Sequence, residues 1–463
     1  MDKRTQCTRR DFLAAGSLLL TGNIALTNTA DLYGAASAVP VAEAAFKAAQ
    51  FKVDVTPPVG THLAYVMNES IEYPIYVSGL ILDDGTTRIV WVSGDFIFIS
   101  GETYRRWQRN IAQAAGTTPE KVFLHVVHQH DTPLVTTDYE QSEEGDEYVI
   151  NKEYCLSIEK RIFDAVASAA AGPWAPIKRI LTAEREIEGL ASNRRLVDTN
   201  GVCVAMRFSG CTDPKMQAWP VGVIDPKLRT IAFEMTDGKI FAALHFYATH
   251  PMAAYLRMKV GPDVPGWALR KLAMKEPGTL HIYFTGCGGN ITFGKYNPGG
   301  DIKAIETLGN RLANAIGANM QSLKNNSLGK IVLKTTAINI PFDLTRLKKS
   351  AENTERKNNA RIWLLKTLDQ WKMVPITSVS IGDNINFLSI GLSEVFVEYQ
   401  LYAQSLLPGR FLAVASYANG IYEYTPTAKA FQEGGYEPGE TACIVTPEIE
   451  TVLKKGIADV LIR

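Results

Sequence analysis

The chain has 463 residues, of which 46% are hydrophobic and 21% are charged, as expected for a globular protein of one large or two smaller domains. Lysine plus arginine and aspartate plus glutamate each total 48, so the formal net charge is zero. A general polyanion binder would carry a basic excess, so we exclude nucleic acid as an expected partner. No protein partner is predicted either.

The N-terminal segment has the composition of an export signal. Arg9 and Arg10 precede an apolar run rich in small residues, and residues 36–38 (Ala-Ser-Ala) fit a cleavage site. We therefore expect residues 1–38 to be a twin-arginine signal that is cleaved, which would place the mature protein in the periplasm or outside the cell. The alternative is a retained membrane anchor, but the apolar run is short and is interrupted at residues 21–23 (Thr-Gly-Asn).

Cysteine is not expected to carry the chemistry. The chain has six cysteines, and removal of Cys7 with the signal leaves an odd number, so at least one mature thiol has no partner within the chain. Cys203 and Cys211 are close enough in sequence to bridge across a hairpin. No CxxC pair or zinc-finger spacing is present.

From about residue 50 onward, short apolar runs alternate with longer amphipathic stretches. In the first half of the chain, the predicted elements are a strand over 87–95, a helix over 101–116, a strand over 121–130, a helix over 154–172 and a β-hairpin turning at Asp237-Gly238. A strand then leads into the glycine-rich segment at 284–290, followed by a helix over 305–323, a surface loop over 322–330 and a charged helix over 344–368. The last predicted elements are a strand over 385–391, a helix over 393–406 and a strand over 410–420. Strand and helix in repeated alternation predict an α/β fold with a mixed, largely parallel sheet flanked by helices.

Polar residues follow several of these strands directly. Open α/β sheets form their binding sites at the carboxyl ends of strands. The residues at such ends are Asp95, His128, His130, His250, the glycine-rich 286–290 loop, Glu394 and the 417–424 segment.

Three of the seven histidines fall within the six residues HVVHQH. In an extended segment alternate side chains share a face, so His128 and His130 can point together while His125 points away. His250 ends a second predicted strand, and Glu394 follows a third. Imidazole nitrogen and carboxylate oxygen suit Zn²⁺, so this spacing is a modest indication of a zinc site.

The remaining histidines have a plainer interpretation. His125, His245 and His281 lie inside apolar strands, where a histidine is more often a core residue with satisfied hydrogen bonds. His62 is expected in a loop.

Two other catalytic patterns are absent from the sequence. The segment FTGCGGN lacks the Lys-Ser/Thr of a nucleotide P-loop, and no GxGxxG opens a helix. No G-x-S-x-G is present, which argues against an α/β-hydrolase serine nucleophile.

An ordered series of segments resembles the neutral (non-lysosomal) ceramidases, zinc-dependent amidases that split the N-acyl bond of ceramide. The series is FKVDVTPPVG, LILDDGTTRIVWVSGD, HQHDTP, ASNRR, GVIDPKLRTIAF, YATHP, DVPGWALR, GLSEVFVEYQL and SYANGIYEYTPTAKAFQEGGYE. The resemblance implies that residues 45–463 form a single catalytic domain, without the C-terminal β-sandwich of larger family members. It also implies a lipid or small-molecule amide as substrate, together with peripheral membrane contact.

The resemblance assigns a ligand set and neighbouring catalytic residues. By motif, the zinc ligands are His128, His250, Glu394 and Tyr424, with Tyr417 and Tyr422 as neighbours that could be confused with Tyr424. His130 falls on a histidine beside the metal, where it could shuttle a proton or bind the scissile carbonyl. Arg194 and the 286–292 loop fall where the family lines its pocket.

The surroundings of this set depart from the family pattern. Asp131-Thr132 replaces Ser-Gly after the second histidine, Leu392-Ser393 replaces Pro-Gly before Glu394, and Asn290-Ile291-Thr292-Phe293 replaces an Asp-Val-Ser-Pro-like end of the glycine loop, where Thr292 could stand in for the serine.

Three functions stay open at this point. The first is a ceramidase-like zinc amidohydrolase. The second is an enzyme on the same scaffold that acts on a glycan or another polar substrate, which a pocket carboxylate from Asp131 would favour. The third is a binding protein without catalysis, which the altered glycine loop would favour.

Overall fold

The structure, a computed structural model, describes residues 46–139, 150–352 and 358–462, and the predicted export signal lies outside these ranges. The described residues all fall within one compact unit. Their helices are α1 (Gly101–Ala115), α2 (Lys152–Ala171), α3 (Pro214–Ala218), α4 (Asp263–Lys275), α5 (Asp301–Gln321), α6 (Leu344–Glu352), α7 (Asn359–Thr367), α8 (Val397–Ser405), α9 (Ala428–Glu433) and α10 (Ile449–Leu461).

The strands longer than two residues are β1 (Phe46–Asp54), β2 (Tyr76–Asp83), β3 (Arg88–Gly94), β4 (Val122–Val126), β5 (Ala175–Glu186), β6 (Arg195–Val197), β7 (Cys203–Met206), β8 (Lys227–Met235), β9 (Ile240–Tyr247), β10 (Leu280–Thr285), β11 (Ile331–Asn339), β12 (Met373–Ile381), β13 (Ile385–Ile390) and β14 (Phe411–Ala415). The two-residue strands are Ser70–Ile71, Phe98–Ile99, Leu134–Val135, Ser192–Asn193, Lys259–Val260, Ile291–Thr292, Lys324–Asn325, Glu394–Val395 and Tyr424–Thr425.

A large mixed sheet forms the centre of the fold, with strand order β10-β9-β8-β5-β1-β2-β3-β4. The short strand Lys324–Asn325 pairs with β5, within the segment that the sequence predicted to be a loop. Only β9 with β10 and β3 with β4 run parallel within this sheet. The expectation of a largely parallel sheet is therefore wrong, and the sheet is mixed with mostly antiparallel neighbours.

The reason for this error lies in how the sheet is buried. A second sheet of order β11-β12-β13-β14 packs on one face of the large sheet, and Trp91 of β3 lies 5.9 Å from Phe387 of β13 between ring centroids. Helices α1, α2, α4 and α5 cover the other face. Strands buried on both faces have continuous apolar runs, which are more typical of parallel sheets.

The helical expectations agree with the structure except in two places. The stretch expected as one charged helix contains α6 and α7, two separate helices. The predicted helix at 393–406 begins only at Val397, because Glu394 and Val395 form a short strand. The hairpin predicted at Asp237-Gly238 is confirmed by the β8–β9 pairing.

The large sheet curves so that its two edges meet near their carboxyl ends. Ser93 Oγ of β3 donates to the carbonyl of Tyr283 in β10 at 2.6 Å. Thr285 Oγ1, at the end of β10, donates to the carbonyl of Val127 at 2.8 Å. This curvature brings together strand ends that are far apart in the sheet order.

The described cysteines are all free thiols: Cys155, Cys203, Cys211, Cys287 and Cys443. The bridge considered between Cys203 and Cys211 is thus not formed. Among the described helices, none has both the length and the apolar character needed to cross a bilayer.

Candidate metal centre

The histidine segment departs from the predicted strand at the point where its side chains are needed. Strand β4 ends at Val126, and His128 has a φ of 76°, in the left-handed region that non-glycine residues seldom occupy. His128 and His130 do converge as expected, with their Nε2 atoms 3.3 Å apart. The cause is this backbone turn and not the alternation of an extended strand.

Three side chains from separate parts of the chain meet around the Nε2 atom of His250. His128 Nε2 lies at 3.2 Å, Glu394 Oε1 at 3.0 Å and the hydroxyl of Tyr424 at 3.3 Å. Glu394 Oε1 also lies 3.4 Å from His128 Nε2. His128, His250, Glu394 and Tyr424 are all buried.

Backbone carbonyls orient the two buried imidazoles. Nδ1 of His128 lies 2.8 Å from the carbonyl of Ile97, and Nδ1 of His250 lies 2.9 Å from the carbonyl of Gly288. A carbonyl can only accept, so each Nδ1 carries the proton, and the Nε2 atom of a neutral ring then presents a lone pair to the centre. Such carbonyl contacts typically fix the tautomer of a metal-binding histidine.

Glu394 and Tyr424 are positioned together by a parallel strand pair. Glu394 lies opposite Tyr424, and Val395 lies opposite Thr425. Although burial opposes its ionisation, contacts with His128 and His250 hold the pKa of Glu394 well below its usual range. Burial raises the pKa of Tyr424 well above 10, with Arg194 opposing this shift, so its phenol is neutral unless a cation binds.

The glycine-rich loop at 286–290 packs against the backbone beside His250 and the backbone of Glu394. A Cβ on Gly289 would lie 2.4 Å from the carbonyl oxygen of Glu394, and a Cβ on Gly288 would lie 2.9 Å from the backbone of Thr249. The Gly289 amide donates to the carbonyl of Val395, and the Gly288 carbonyl holds His250. These glycines therefore allow a close backbone approach.

His130 stands at the open side of the centre. It is the only one of the three clustered histidines with partial exposure, and its Nδ1 atom lies 3.2 Å from the hydroxyl of Tyr65. Burial and the nearby His128 and His250 lower the pKa of His130 well below 6.5. The ring is therefore neutral at neutral pH.

Arg194 contacts the ring of Tyr424. Its guanidinium carbon lies 5.1 Å from the Tyr424 ring centroid, and its Nε donates to Glu437 at 2.8 Å. Glu437 is fully buried and also accepts from Arg195 at 2.7 Å. The sequence reasoning missed Glu437, which lies in the quoted tyrosine-rich block but has no spacing signal linking it to an arginine 243 residues away.

The two tyrosines that could be confused with Tyr424 have different surroundings. The Tyr417 hydroxyl lies 3.3 Å from Nδ1 of His250, and its ring centroid lies 4.7 Å from that of His128, so Tyr417 belongs to the surroundings of the centre. The Tyr422 hydroxyl donates instead to the carbonyl of Trp371.

Asp131 and Thr292 have structural partners. Asp131 accepts from Nε of Arg257 at 2.6 Å, and Arg257 also bonds to Glu72. Thr292 Oγ1 donates to the carbonyl of Arg207 at 2.9 Å. Asp131 is thus paired with a cation and does not present a free carboxylate.

The histidines expected in the core are found there. His125 contacts the Ser416 carbonyl and the Ser389 hydroxyl. His245 and His281 contact each other at 3.0 Å between Nε2 and Nδ1. His62 is half-buried, outside the regular strands.

The donor set fits a divalent cation. His128, His130 and His250 each offer a nitrogen, and these atoms lie within 4.8 Å of one another. Neutral imidazole and carboxylate groups at such spacing are all acceptors, and a shared cation removes their mutual repulsion.

Asp95, the remaining strand-end residue, does not belong to this donor set. Its carboxylate accepts from Gln129 at 2.8 Å, and burial raises its pKa to about 6.

The fold and this centre define a mixed α/β protein with a buried histidine–carboxylate cluster that could hold a metal ion. The sequence matches no family model and no curated protein. The fold is similar to that of neutral ceramidase from Pseudomonas aeruginosa, with a TM-score of 0.70 and 15% identity over 91% of this chain and 74% of that chain. A ceramidase complexed with C2 is similar at a TM-score of 0.68 and 15% identity, over 91% of this chain and 75% of that chain.

The resemblance to the neutral ceramidases that the sequence indicated is therefore confirmed at the level of the fold. The large mixed sheet flanked by helices is the part of the predicted fold that agrees with the structure.

Proposed function

We propose that this protein is an exported zinc-dependent hydrolase that cleaves an N-acyl amide bond in a ceramide-like lipid, giving a sphingoid base and a fatty acid. The convergence of His128, His250, Glu394 and Tyr424 within 3.4 Å contacts is the observation that carries this proposal. The likeness in fold to neutral ceramidase supports the choice of reaction.

Zinc bound by these residues would act as a Lewis acid and lower the pKa of a coordinated water toward neutrality. His128 and His250 are held for this role by carbonyl contacts that place the proton of a neutral ring on Nδ1 and leave Nε2 available as a ligand. Glu394 supplies negative charge that offsets part of the charge of the cation.

His130 is the residue that we assign to proton transfer. Its Nε2 faces the centre, 3.3 Å from Nε2 of His128, and its low pKa leaves that nitrogen free to accept a proton. Tyr65 contacts the opposite nitrogen and holds the ring orientation. A neutral base that becomes protonated can then deliver the proton to the leaving amine.

Arg194 and Tyr424 are assigned to stabilise charge on the scissile carbonyl oxygen. As a metal ligand, Tyr424 would lie beside that oxygen, and the Arg194 cation behind its ring would offset negative charge that develops there. Burial opposes the charge of Arg194, but its contacts with Tyr424 and Glu437 raise the pKa of the guanidinium above its usual value and keep it charged.

A lipid substrate is supported by apolar surface beside His130. Tyr255, Leu256 and Met258 are 45%, 47% and 43% exposed, and the Tyr255 ring centroid lies 6.2 Å from that of His130. Arg257 anchors this loop from within by its bonds to Asp131 and Glu72. We propose that the loop makes the peripheral membrane contact.

A cavity of about 70 Å³ reaches Glu394 and Tyr424 and could receive part of the substrate. Phe98, Leu134, Tyr139 and Leu364 line its apolar part. Zinc, export and ceramide specificity are all parts of this proposal.

Two observations weaken the alternative functions, an enzyme for a polar substrate and a binding protein without catalysis. Pairing of Asp131 with Arg257 removes the pocket carboxylate that favoured a polar substrate such as a glycan. The altered glycine loop still supports His250 and Glu394, which weakens the case for a binding protein without catalysis.

The test combines metal content with a substrate panel. Purified protein should contain about one zinc per chain, as expected for a single four-ligand site. His128→Ala and Glu394→Gln should lose the zinc, whereas the control Glu448→Gln, at an exposed glutamate, should keep it. Stoichiometric zinc in both site variants would overturn the site assignment.

The panel contains a fluorescent N-acylsphingosine, short N-acyl amides and glycosides. We expect turnover of the N-acylsphingosine that depends on His130 and is absent in both metal-site variants. Turnover of glycosides alone would overturn the amidase proposal, and zinc without any turnover would favour the binding protein.

A further inference from the structure

A second cavity, of about 520 Å³, lies apart from the metal centre. Its walls come from β1, β2, β3, β10 and α4, and Val127, next to His128, is the lining residue closest in sequence to the metal-binding set. None of the four proposed metal ligands lines it. Its volume is within the range of pockets that hold small molecules.

Two cations border this cavity without a contact ion pair among the described residues. Burial lowers the pKa of Lys52, although Asp95 and Asp54 lie close enough to oppose this shift. Lys52 Nζ lies 3.8 Å from the Tyr76 ring centroid, and the Arg270 guanidinium carbon lies 4.8 Å from the Tyr73 ring centroid. In the described parts of the chain, neither cation forms an ion pair. Both side chains are exposed, so they stand at the opening and not at the floor.

The walls behind these cations are largely apolar. Trp267, Leu269, Leu280 and Ile282 line the cavity, and Met274 is 63% exposed at its border. An apolar chain placed along these residues would be removed from water, which contributes about 0.8 kcal/mol for each buried methylene group.

The cavity also contains polar atoms whose hydrogen bonds are incomplete. His281 is 6% exposed, and its Nε2 has no hydrogen-bond partner among the described residues; the nearest carboxylate oxygen, of Glu276, lies at 3.4 Å. Oε1 of Gln50 is likewise buried and without a partner in the described structure. Incomplete bonding of this kind calls for a ligand or water that supplies the missing contacts.

The charged side chains around the cavity favour an anionic ligand over a cationic one. Asp95 is the only acidic residue in the lining, and it already accepts from Gln129 and from the Tyr76 amide. A cationic ligand would meet Lys52 and Arg270 at the opening. An anion would find two cations with no competing ion pair.

We propose that this cavity binds an amphipathic carboxylate, a fatty acid of medium chain length, with its carboxylate between Lys52 and Arg270 and its hydrocarbon chain against Trp267, Leu280 and Ile282. This binding site does not depend on the hydrolytic function proposed for the metal centre, so each can fail without the other.

The test is a calorimetric titration of the full-length protein with decanoate, decanol and decyltrimethylammonium. We expect decanoate to bind most tightly. Lys52→Met combined with Arg270→Met should weaken decanoate binding at least about tenfold, since the loss of one charge-assisted contact is worth a factor of this size. Binding of decanol should be unchanged in this double variant.

Two control variants separate this site from other sites. Lys239→Met, at an exposed lysine that is 79% accessible and pairs only with Asp237, should bind decanoate like the wild type. Glu394→Gln should also bind it normally, because it alters only the metal centre. Unchanged affinity in the double variant, or loss of binding in Glu394→Gln, would overturn the proposal.

Discussion

The Nε2 atom of His250 lies 3.0 Å from Oε1 of Glu394, and neither atom has a proton to share at neutral pH. Burial lowers the pKa of His250 to about 4, and its single ring proton is on Nδ1, at the Gly288 carbonyl. Two buried acceptors in contact repel each other, and a cation bound between them would remove that repulsion.

Removal of the metal should therefore destabilise the folded chain. If zinc is present at about 100 times its Kd, chelation should lower the free energy of unfolding by ~2.7 kcal/mol. Thermal unfolding with and without EDTA measures this effect. In His128→Ala, which should hold no metal, EDTA should have no effect; an equal shift in both proteins would contradict the prediction.

Gly289→Ala should disrupt the metal centre through the backbone of Glu394. The new Cβ would lie 2.4 Å from the Glu394 carbonyl oxygen, so the strand carrying Glu394 must move. We expect a loss of ~1–3 kcal/mol in stability from overpacking and a reduced zinc content, measured by denaturant unfolding and metal analysis.

The matched control is Gly317→Ala in α5, where a Cβ would meet no atom within 4 Å. This change should raise stability by up to ~1 kcal/mol through helix propensity and leave the zinc content unchanged. Normal zinc binding by Gly289→Ala would show that the close contact does not position Glu394.

Glu437→Gln should destabilise the chain strongly, because it removes the negative charge shared by Arg194 and Arg195. Breaking a buried ion pair typically costs ~3–5 kcal/mol. Glu433→Gln is the comparison, since Glu433 pairs with Arg195 at 3.1 Å but has no bond to Arg194. Denaturant unfolding of both variants should show the smaller loss for Glu433→Gln, and equal losses would contradict this ranking.

Asp263 should make stability fall as the pH rises. Burial raises the pKa of Asp263 to about 7, against the opposing bonds from the amides of Val264, Ala253 and Ala254. The folded chain thus holds this proton more tightly than the unfolded chain, whose aspartate titrates at about 3.9. The contribution of Asp263 to stability is complete below about pH 3.9 and is lost as the pH rises to about 7.

Asp263→Asn should remove this dependence. The free energy of unfolding of the variant, measured between pH 4 and pH 8, should decline less steeply with pH than that of the wild type. Parallel pH profiles for the two proteins would show that the Asp263 carboxyl is not protonated preferentially in the folded state.

Much of the architecture could be predicted from local patterns. The helices α1, α2 and α5 and the strands β3, β10 and β13 lie where periodicity and turn residues placed them. The chemistry-bearing residues at the strand ends were also found from the sequence, since an apolar run that ends in a histidine or a glutamate can be seen without knowing its neighbours. The ligand set itself came from a family resemblance and not from spacing.

Local sequence was enough to identify which segments form strands and helices and which polar residues lie at their ends. Both features depend on periodicity over a few neighbouring residues. The folded chain was needed to show that the sheet is mostly antiparallel, that Arg257 neutralises Asp131 and that Glu437 forms an ion pair with Arg194. These contacts join residues more than 100 positions apart, and their formation depends on strand order and on the packing of buried charges, which no local pattern encodes.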